Sequence, residues 1–412
     1  MPSLWHPYGE TRPDLGFAGV DLPIRKPCTM RTVRCVAALS RVLAACAFAI
    51  SCASSLAAQT TVNGPSSLQR ALGQALGGET FELAPGEYGS LVLDAGFTQA
   101  VTLQSAERHG ARFADVLIGG GRVTLNGLRI DGSFRVEQAR GIELWNSLLT
   151  AQAEFVRSEE IVARGNDMRT LSIESSTDFT LDGNLIHRTD HDLLRVMGPS
   201  ATGRITNNVL WDMIPRHFAD GSYTHADAIQ FFGRETGTPH DIVIRGNLIY
   251  DDSRTGDGGN LWGQGIFLSD AGADGYRDFV IEENLIAVGS PNSIFFKDAT
   301  GGRNIRIANN TIRPWPDGDG GWIRLIGDSR GVTVERNVAA GIESEGGADL
   351  AGNFLFSKAV SARTHPLQLF AGSGDGATWQ DFLPRAGSPI DLSYGLGATT
   401  RLHALQEAAA AR

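Results

Sequence analysis

A short segment recurs along the chain with asparagine at one fixed position. It reads IVARGNDM at 161–168, FTLDGNLI at 179–186, RITNNVL at 204–210, IVIRGNLI at 242–249, FVIEENLI at 279–286, IRIANNTI at 305–312, VTVERNVA at 332–339 and DLAGNFL at 349–355. Apolar and polar residues alternate before each asparagine, the period of a strand with one buried face. The asparagines are Asn166, Asn184, Asn208, Asn247, Asn284, Asn310, Asn337 and Asn353, at steps of 18, 24, 39, 37, 26, 27 and 16 residues. The shorter steps suit one circuit of strands and turns. A lone circuit cannot bury its apolar face, so circuits must stack. Stacking sets Asn over Asn, and a buried amide must be hydrogen-bonded. The column therefore predicts an internal Asn ladder rather than a ligand site. Leu128 and Ser147 fill the same slot in earlier circuits.

A second strand recurs within the circuits: DLLRVMG (192–198), DAIQFFG (227–233), QGIFLSD (264–270), NSIFFKD (292–298) and GWIRLIG (321–327). Leu194, Ile229, Ile266, Ile294 and Ile323 share an inward column, so the alternate residues face outward on one continuous parallel sheet. SSLQRALGQA at Ser66–Ala75 predicts a short amphipathic helix covering the first coil. DFLPRAGSPID at 381–391, followed by the helix-prone tail LHALQEAAAAR, predicts a cap at the far end.

The opening helix with GGETFELAPGEY (77–88), the N-x-I rungs and the RAGSPID close resemble right-handed parallel β-helix proteins of the pectate-lyase-like superfamily, which are carbohydrate-active and include polysaccharide lyases. The likeness covers roughly residues 60–395. It implies an all-β, right-handed parallel β-helix (solenoid) with an N-terminal capping helix. The Leu-x-x-Leu-x-Leu spacing of leucine-rich solenoids is absent. So are the paired Asp-Asp and His-Gly motifs of polygalacturonases, the Arg-x-Pro-x-x-Arg pattern of common pectate lyases and the Asp-Pro-His of mannuronan epimerases. The resemblance thus gives a fold without fixing a reaction.

Residues 1–57 read as a leader. From Met30, three arginines (Arg31, Arg34, Arg41) precede an apolar run, Val42 to Ile50, with small residues at Ser55 and Ala57. This is a secretory signal over about 30–57. The run falls short of the roughly 20 residues that span a bilayer. The part upstream of Met30 reads as a misassigned start, and a lipoprotein box around Cys46 is disfavoured by Arg41. Residues 58–360 are expected to form the coil and 361–412 the closing segment and tail. The chain is expected to be exported, periplasmic or secreted, monomeric and without a stable membrane span. All four cysteines precede the cut, so the mature chain has no disulfide and no thiol nucleophile. The formal charge of −10 becomes −13 after processing, with 30 basic against 43 acidic residues once the six and three of residues 1–57 are subtracted. This balance argues against nucleic acid as a partner. It does not exclude an acidic polysaccharide, because a local basic cleft can oppose the net charge.

The longest circuits insert 211–225 and 250–263 before the second strand, at the same point of the circuit, and so predict neighbouring walls beside one sheet. The outward residues beside them are Arg195, Gln230, Phe232, Phe267, Ser269, Phe295, Lys297, Trp322 and Arg324. Aromatic faces with cations suit a charged glycan, which makes Arg195, Gln230, Trp262, Phe267 and Trp322 the candidate substrate-binding residues. The chain has 33 Arg and only three Lys: Lys26, Lys297 and Lys358. Lysine is the better proton acceptor, so Lys297 beside Arg324 is the first candidate base. The resemblance adds that many β-helix lyases use Lys or Arg so, often with Ca²⁺ on the uronate carboxylate. His225 is the second candidate base. Asp192, Asp227 and Asp270 are candidate ligands for Ca²⁺ or a hydrolytic carboxylate pair. Asp192, Asp227, Gln264 and Asn292 also share a register column that would serve as a polar ladder. The leading expectation is an exported lyase cleaving an acidic, uronate-containing polysaccharide by β-elimination, with Lys297, His225 and Arg324 as the catalytic residues. The alternatives are a glycoside hydrolase using the aspartates and a non-catalytic glycan-binding or envelope protein.

Overall fold

The structure, a computed structural model, describes residues 59–216, 218–220, 224, 226–250, 263–297, 302–314, 320–372 and 376–411. Residues 59–412 form one compact unit. Its strands build a parallel β-helix. Among the described residues thirteen strands, from Gln59–Val62 to Asp349–Ala351, pair in parallel as a first sheet. The other twenty-one form a second sheet bent into two faces. One face holds the short strands that follow each ladder asparagine, such as Leu185–Thr189, Val209–Met213, Leu248–Tyr250 and Leu285–Ala287. The other holds the strands Leu194–Met197, Asp227–Phe232, Gln264–Ser269, Asn292–Phe296, Trp322–Leu325 and Gly341–Ser344. Leu148–Val156 and Asp167–Glu174 run unbroken across both faces and join them, with a bulge between Leu149 and Gln152 at the bend.

The Asn ladder forms as the sequence predicts. At each step the upper Oδ1 accepts both the backbone N–H and the Nδ2 of the asparagine below. Asn208 N and Nδ2, for example, lie 2.9 and 3.0 Å from Asn247 Oδ1. Each Nδ2 also donates to the carbonyl of a residue on the preceding first-sheet strand, as Asn247 does to Ile205 at 2.9 Å. Ser147 closes the series by donating its N–H to Asn166 Oδ1. The corner itself comes from the residue before each asparagine, which sits in the left-handed region. Along the described column these are Gly or Asn, the types that adopt it cheaply. The exceptions are Glu283 (φ 56) and Arg336 (φ 53).

Both exceptions hold the C-terminal segment. The backbone N–H of Arg401 donates to Glu283 at the N-terminus of the helix Thr399–Ala410. Arg336 donates to the carbonyls of Tyr394 and Gly395. This segment does not cap the far end, as the sequence suggested. It runs back along the outside of the short strands, where Phe382, Ala398 and Leu402 pack with Val209, Leu248 and Leu285. The cause is visible in the pairs Leu185-Ile186, Val209-Leu210, Leu248-Ile249 and Leu285-Ile286. Two consecutive apolar residues make a strand apolar on both faces, so its outer face needs cover. The end of the coil stays open, with Leu350 49% and Leu355 48% exposed. At the start, the helix Pro65–Gln74 closes the core as expected, with Leu68 buried and Ala71 and Leu72 packed against it. Among the described residues no helix is long and apolar enough to cross a membrane.

Candidate functional site

The outward residues of the second strand form a grid. One column runs Ser172, Arg195, Gln230, Phe267, Phe295, Arg324, Glu343 on successive rungs. Two residues further along each strand, Phe232 pairs with Ser269, and Lys297 follows on the next rung, its N–H bonded to Leu268. At the near end stand Asp227 and Gln264, then Asn292 paired with Trp322, then Gly341. Rungs lie about 4.8 Å apart, so Arg195 and Arg324 are separated by about 19 Å.

Arg324 is fixed on three sides. Its Nε donates to Glu343 at 2.6 Å and its Nη1 to Asn292 Oδ1 at 2.9 Å, and the guanidinium lies over Phe295 at 5.2 Å. Phe295 in turn stacks on Phe267, centroids 5.1 Å apart at 15°. Phe267 is only 6% exposed. It is therefore part of the floor and supports Phe295, and it is not the open sugar platform expected for it. Arg195 differs from Arg324. It is half-buried, its Nε is shielded from solvent with no hydrogen-bond partner, and no carboxylate of a described residue pairs with it. Below it the buried Ser172 Oγ also lacks a partner. Lys297 lies 3.7 Å from Asp270, with both side chains more than half exposed. Its neighbour is thus the aspartate of the preceding rung.

The corner column is a polar ladder. Asp192 Oδ1 accepts the backbone N–H of Asp227 at 3.0 Å, and Asn292 Nδ2 donates to Gln264 Oε1. Asp227 is fully buried. Asp270 stands at the other end of its strand, six residues from Gln264, or about 20 Å at 3.3 Å per residue. Asp192, Asp227 and Asp270 are therefore not brought together. Among the described residues no group of three His, Cys, Asp or Glu side chains is placed to hold a metal ion. Calcium takes six to eight oxygen ligands. Carboxylate and amide oxygens both serve Ca²⁺, but of the corner oxygens Asn292 Oδ1 already faces a guanidinium and Asp192 Oδ1 a backbone N–H.

Of the two walls, His225, Trp262 and residues 251–262 lie outside the described residues. In the first, Trp211–Met213 continue a strand, and Trp211 stacks between His187 and Tyr250 at 5.1 and 5.6 Å. Arg216 and Thr224 close the loop, with Arg216 N–H bonded to Thr224 Oγ1 at 2.7 Å and Thr224 N–H to the Arg216 carbonyl at 2.9 Å. Arg216 also pairs with Asp190 at 3.4 Å. The sequence reading missed Glu343 and Asn292 as partners of Arg324, and Lys358, whose Nζ lies 5.7 Å from the Trp322 ring centroid.

The fold and site define a parallel β-helix whose outward sheet face carries a half-buried row of cations and aromatics. No family model and no curated protein matches the sequence. Among solved structures the chain is similar to an alginate lyase from Paenibacillus sp., at 14% identity over 73% of this chain and 99% of that one, TM-score 0.44. It is similar to the A-module of a mannuronan C-5 epimerase from Azotobacter vinelandii, at 15% identity over 72% and 94%, TM-score 0.39. It is also similar to PfbA, a surface adhesin of Streptococcus pneumoniae, at 12% identity over 71% and 93%, TM-score 0.42. The architecture stands on the strand pairings themselves, and the reading of the site rests on this chain's own residues.

Proposed function

We propose that the chain is an exported lyase that cleaves an acidic, uronate-containing polysaccharide by β-elimination. The observation that carries this reading is Arg195. A half-buried guanidinium with a shielded, unpartnered Nε favours an anion, and it heads a row that ends at Arg324, a few sugar units away. A polymer with regularly spaced carboxylates satisfies both ends at once.

In β-elimination a base takes the proton α to the carboxylate, the bond to the leaving glycosidic oxygen breaks, and that oxygen receives a proton. A double bond remains in the product sugar. Arg324, already held by Asn292, Glu343 and Phe295, supplies a fixed positive charge where the carboxylate gains negative charge in the transition state. Lys297, one rung before Arg324 and two residues beyond Phe295, is the proton acceptor, and it acts only as the neutral amine. Asp270 orients it. His225 is the other candidate acceptor. Charge neutralisation is assigned to the two arginines, Arg195 and Arg324.

The test is incubation of the mature protein with alginate, pectate, glucuronan and related polymers, following the ultraviolet absorbance of unsaturated ends. Reducing ends without that absorbance would assign a hydrolase instead. Binding that survives both Lys297→Ala and His225→Ala, with no product from any polymer, would assign a glycan-binding protein.

A further inference from the structure

Outside the leader the chain has two lysines, Lys297 and Lys358, and the second stands at the end of the same sheet although it comes from the C-terminal segment. The loop 357–364 is closed by a hydrogen bond from Ser357 N–H to the Thr364 carbonyl at 3.1 Å. It carries Lys358 and Arg363 and no carboxylate, in a chain that is acidic overall. Both side chains are exposed, and neither forms an ion pair with a described residue. Lys358 holds its ammonium over Trp322.

Trp322 is shaped as a platform. It lies two residues from Arg324 on the same outward face, about 7 Å away along the strand. On the next rung its ring lies against Gly341, where an added Cβ would come within 2.4 Å of the indole. Gly341 has no left-handed backbone to explain it, so the glycine is there for space. Any larger residue would tilt the ring off the sheet.

We propose that Trp322, Lys358 and the cationic loop 357–364 form a distal subsite for an acidic glycan chain, with a sugar ring taking the place of the Lys358 ammonium over the indole and Lys358 pairing with its carboxylate. Trp322 is paired with Asn292, five residues from Lys297, which puts the platform about 17 Å from the candidate base. Only an oligomer several sugars long spans that distance. The C-terminal segment would then select for chain length as well as bracing the coil. This inference rests on the lyase reading for its position along the substrate, but its binding test does not.

The experiment compares wild type, Lys358→Ala and Gly341→Ala on a cleaved uronate polymer and on short oligomers that cannot reach from Lys297 to Trp322. With the subsite, both variants raise KM on the polymer about three- to tenfold. They leave kcat and the short-oligomer kinetics unchanged, and the thermal midpoint of Lys358→Ala stays at the wild-type value. An equal effect on long and short substrates would overturn the proposal, as would an unchanged polymer KM with a lowered midpoint, the mark of a purely structural cation–π contact. Calorimetric titration with long uronate oligosaccharides separates the two readings. If wild type binds them without forming unsaturated ends, the lyase chemistry falls, and weaker binding by Lys358→Ala still upholds the subsite. Equal binding by wild type and variant, or no binding by either, overturns it.

Discussion

Replacing Asn247 with alanine removes one amide from the middle of the ladder. Asn247 is fully buried. Its Oδ1 accepts from Asn208 N and Nδ2 at 2.9 and 3.0 Å, and its Nδ2 donates to Ile205 O and Asn284 Oδ1, both at 2.9 Å. A net hydrogen bond contributes about 1 kcal/mol, and a buried group left unmade costs about 1–3 kcal/mol. Asn284 Oδ1 keeps a donor in the backbone N–H of Asn247, but the N–H and Nδ2 of Asn208 lose their shared acceptor and Ile205 loses its donor. The sum is about 4–6 kcal/mol. Asn353→Ala is the control. It loses three similar contacts at the half-buried last rung, where water can replace them, so its cost should be about 1–2 kcal/mol. Urea unfolding followed by far-ultraviolet circular dichroism should show the Asn247→Ala midpoint well below that of Asn353→Ala, with similar slopes. Equal costs at the two positions would refute the claim that burial, and not the amide alone, gives the ladder its strength.

Three further outcomes are expected. Glu343→Gln should cut lyase turnover by about tenfold while leaving the melting point almost unchanged. It removes the negative charge that aims Arg324 and leaves only a weaker amide acceptor, and the pair is too exposed to contribute much stability. Because charge neutralisation is assigned to Arg195 and Arg324, a chelator should leave activity on uronate polymers unchanged, and a loss restored by added Ca²⁺ would overturn that assignment. Glu283→Gln should stabilise the protein at neutral pH, seen as a higher denaturation midpoint. Burial raises the Glu283 carboxyl above its usual range, so the folded state favours its protonated form. That contribution is present in acid and is lost as pH rises through the raised value. The advantage of Gln, which still accepts the Arg401 N–H, should therefore vanish on acidification.

The ladder was legible because a buried amide in a parallel coil has few alternatives to bonding the next amide. One residue type at one register position fixes the geometry. The grid was legible for a related reason, since strand period two and a constant register place Arg195, Phe295 and Arg324 on one face without knowledge of the turns. What escaped depended on partners from other rungs or from distant sequence. Glu343 lies 19 residues from Arg324, in a strand whose pattern carries no mark of that pairing. The burial of Phe267 depends on what lies over it, which register does not encode. The destination of the C-terminal segment was also misread. A helix-prone tail after the last repeat suggests an end cap, and the informative signal was instead the doubly apolar Val209-Leu210, Leu248-Ile249 and Leu285-Ile286, far upstream.

A solenoid held only by neighbour contacts can lose its terminal rungs one at a time. Here the N–H of Arg401 reaches Glu283 across 118 residues of sequence, and Leu402 packs beside Val209. The final turns cannot peel away until that latch opens, so the C-terminal half should unfold as one cooperative block. The same geometry orders assembly, because the receptor on the short strands must already be wound before the latch can close. A chain truncated before Thr399 would finish its coil and leave it unlocked.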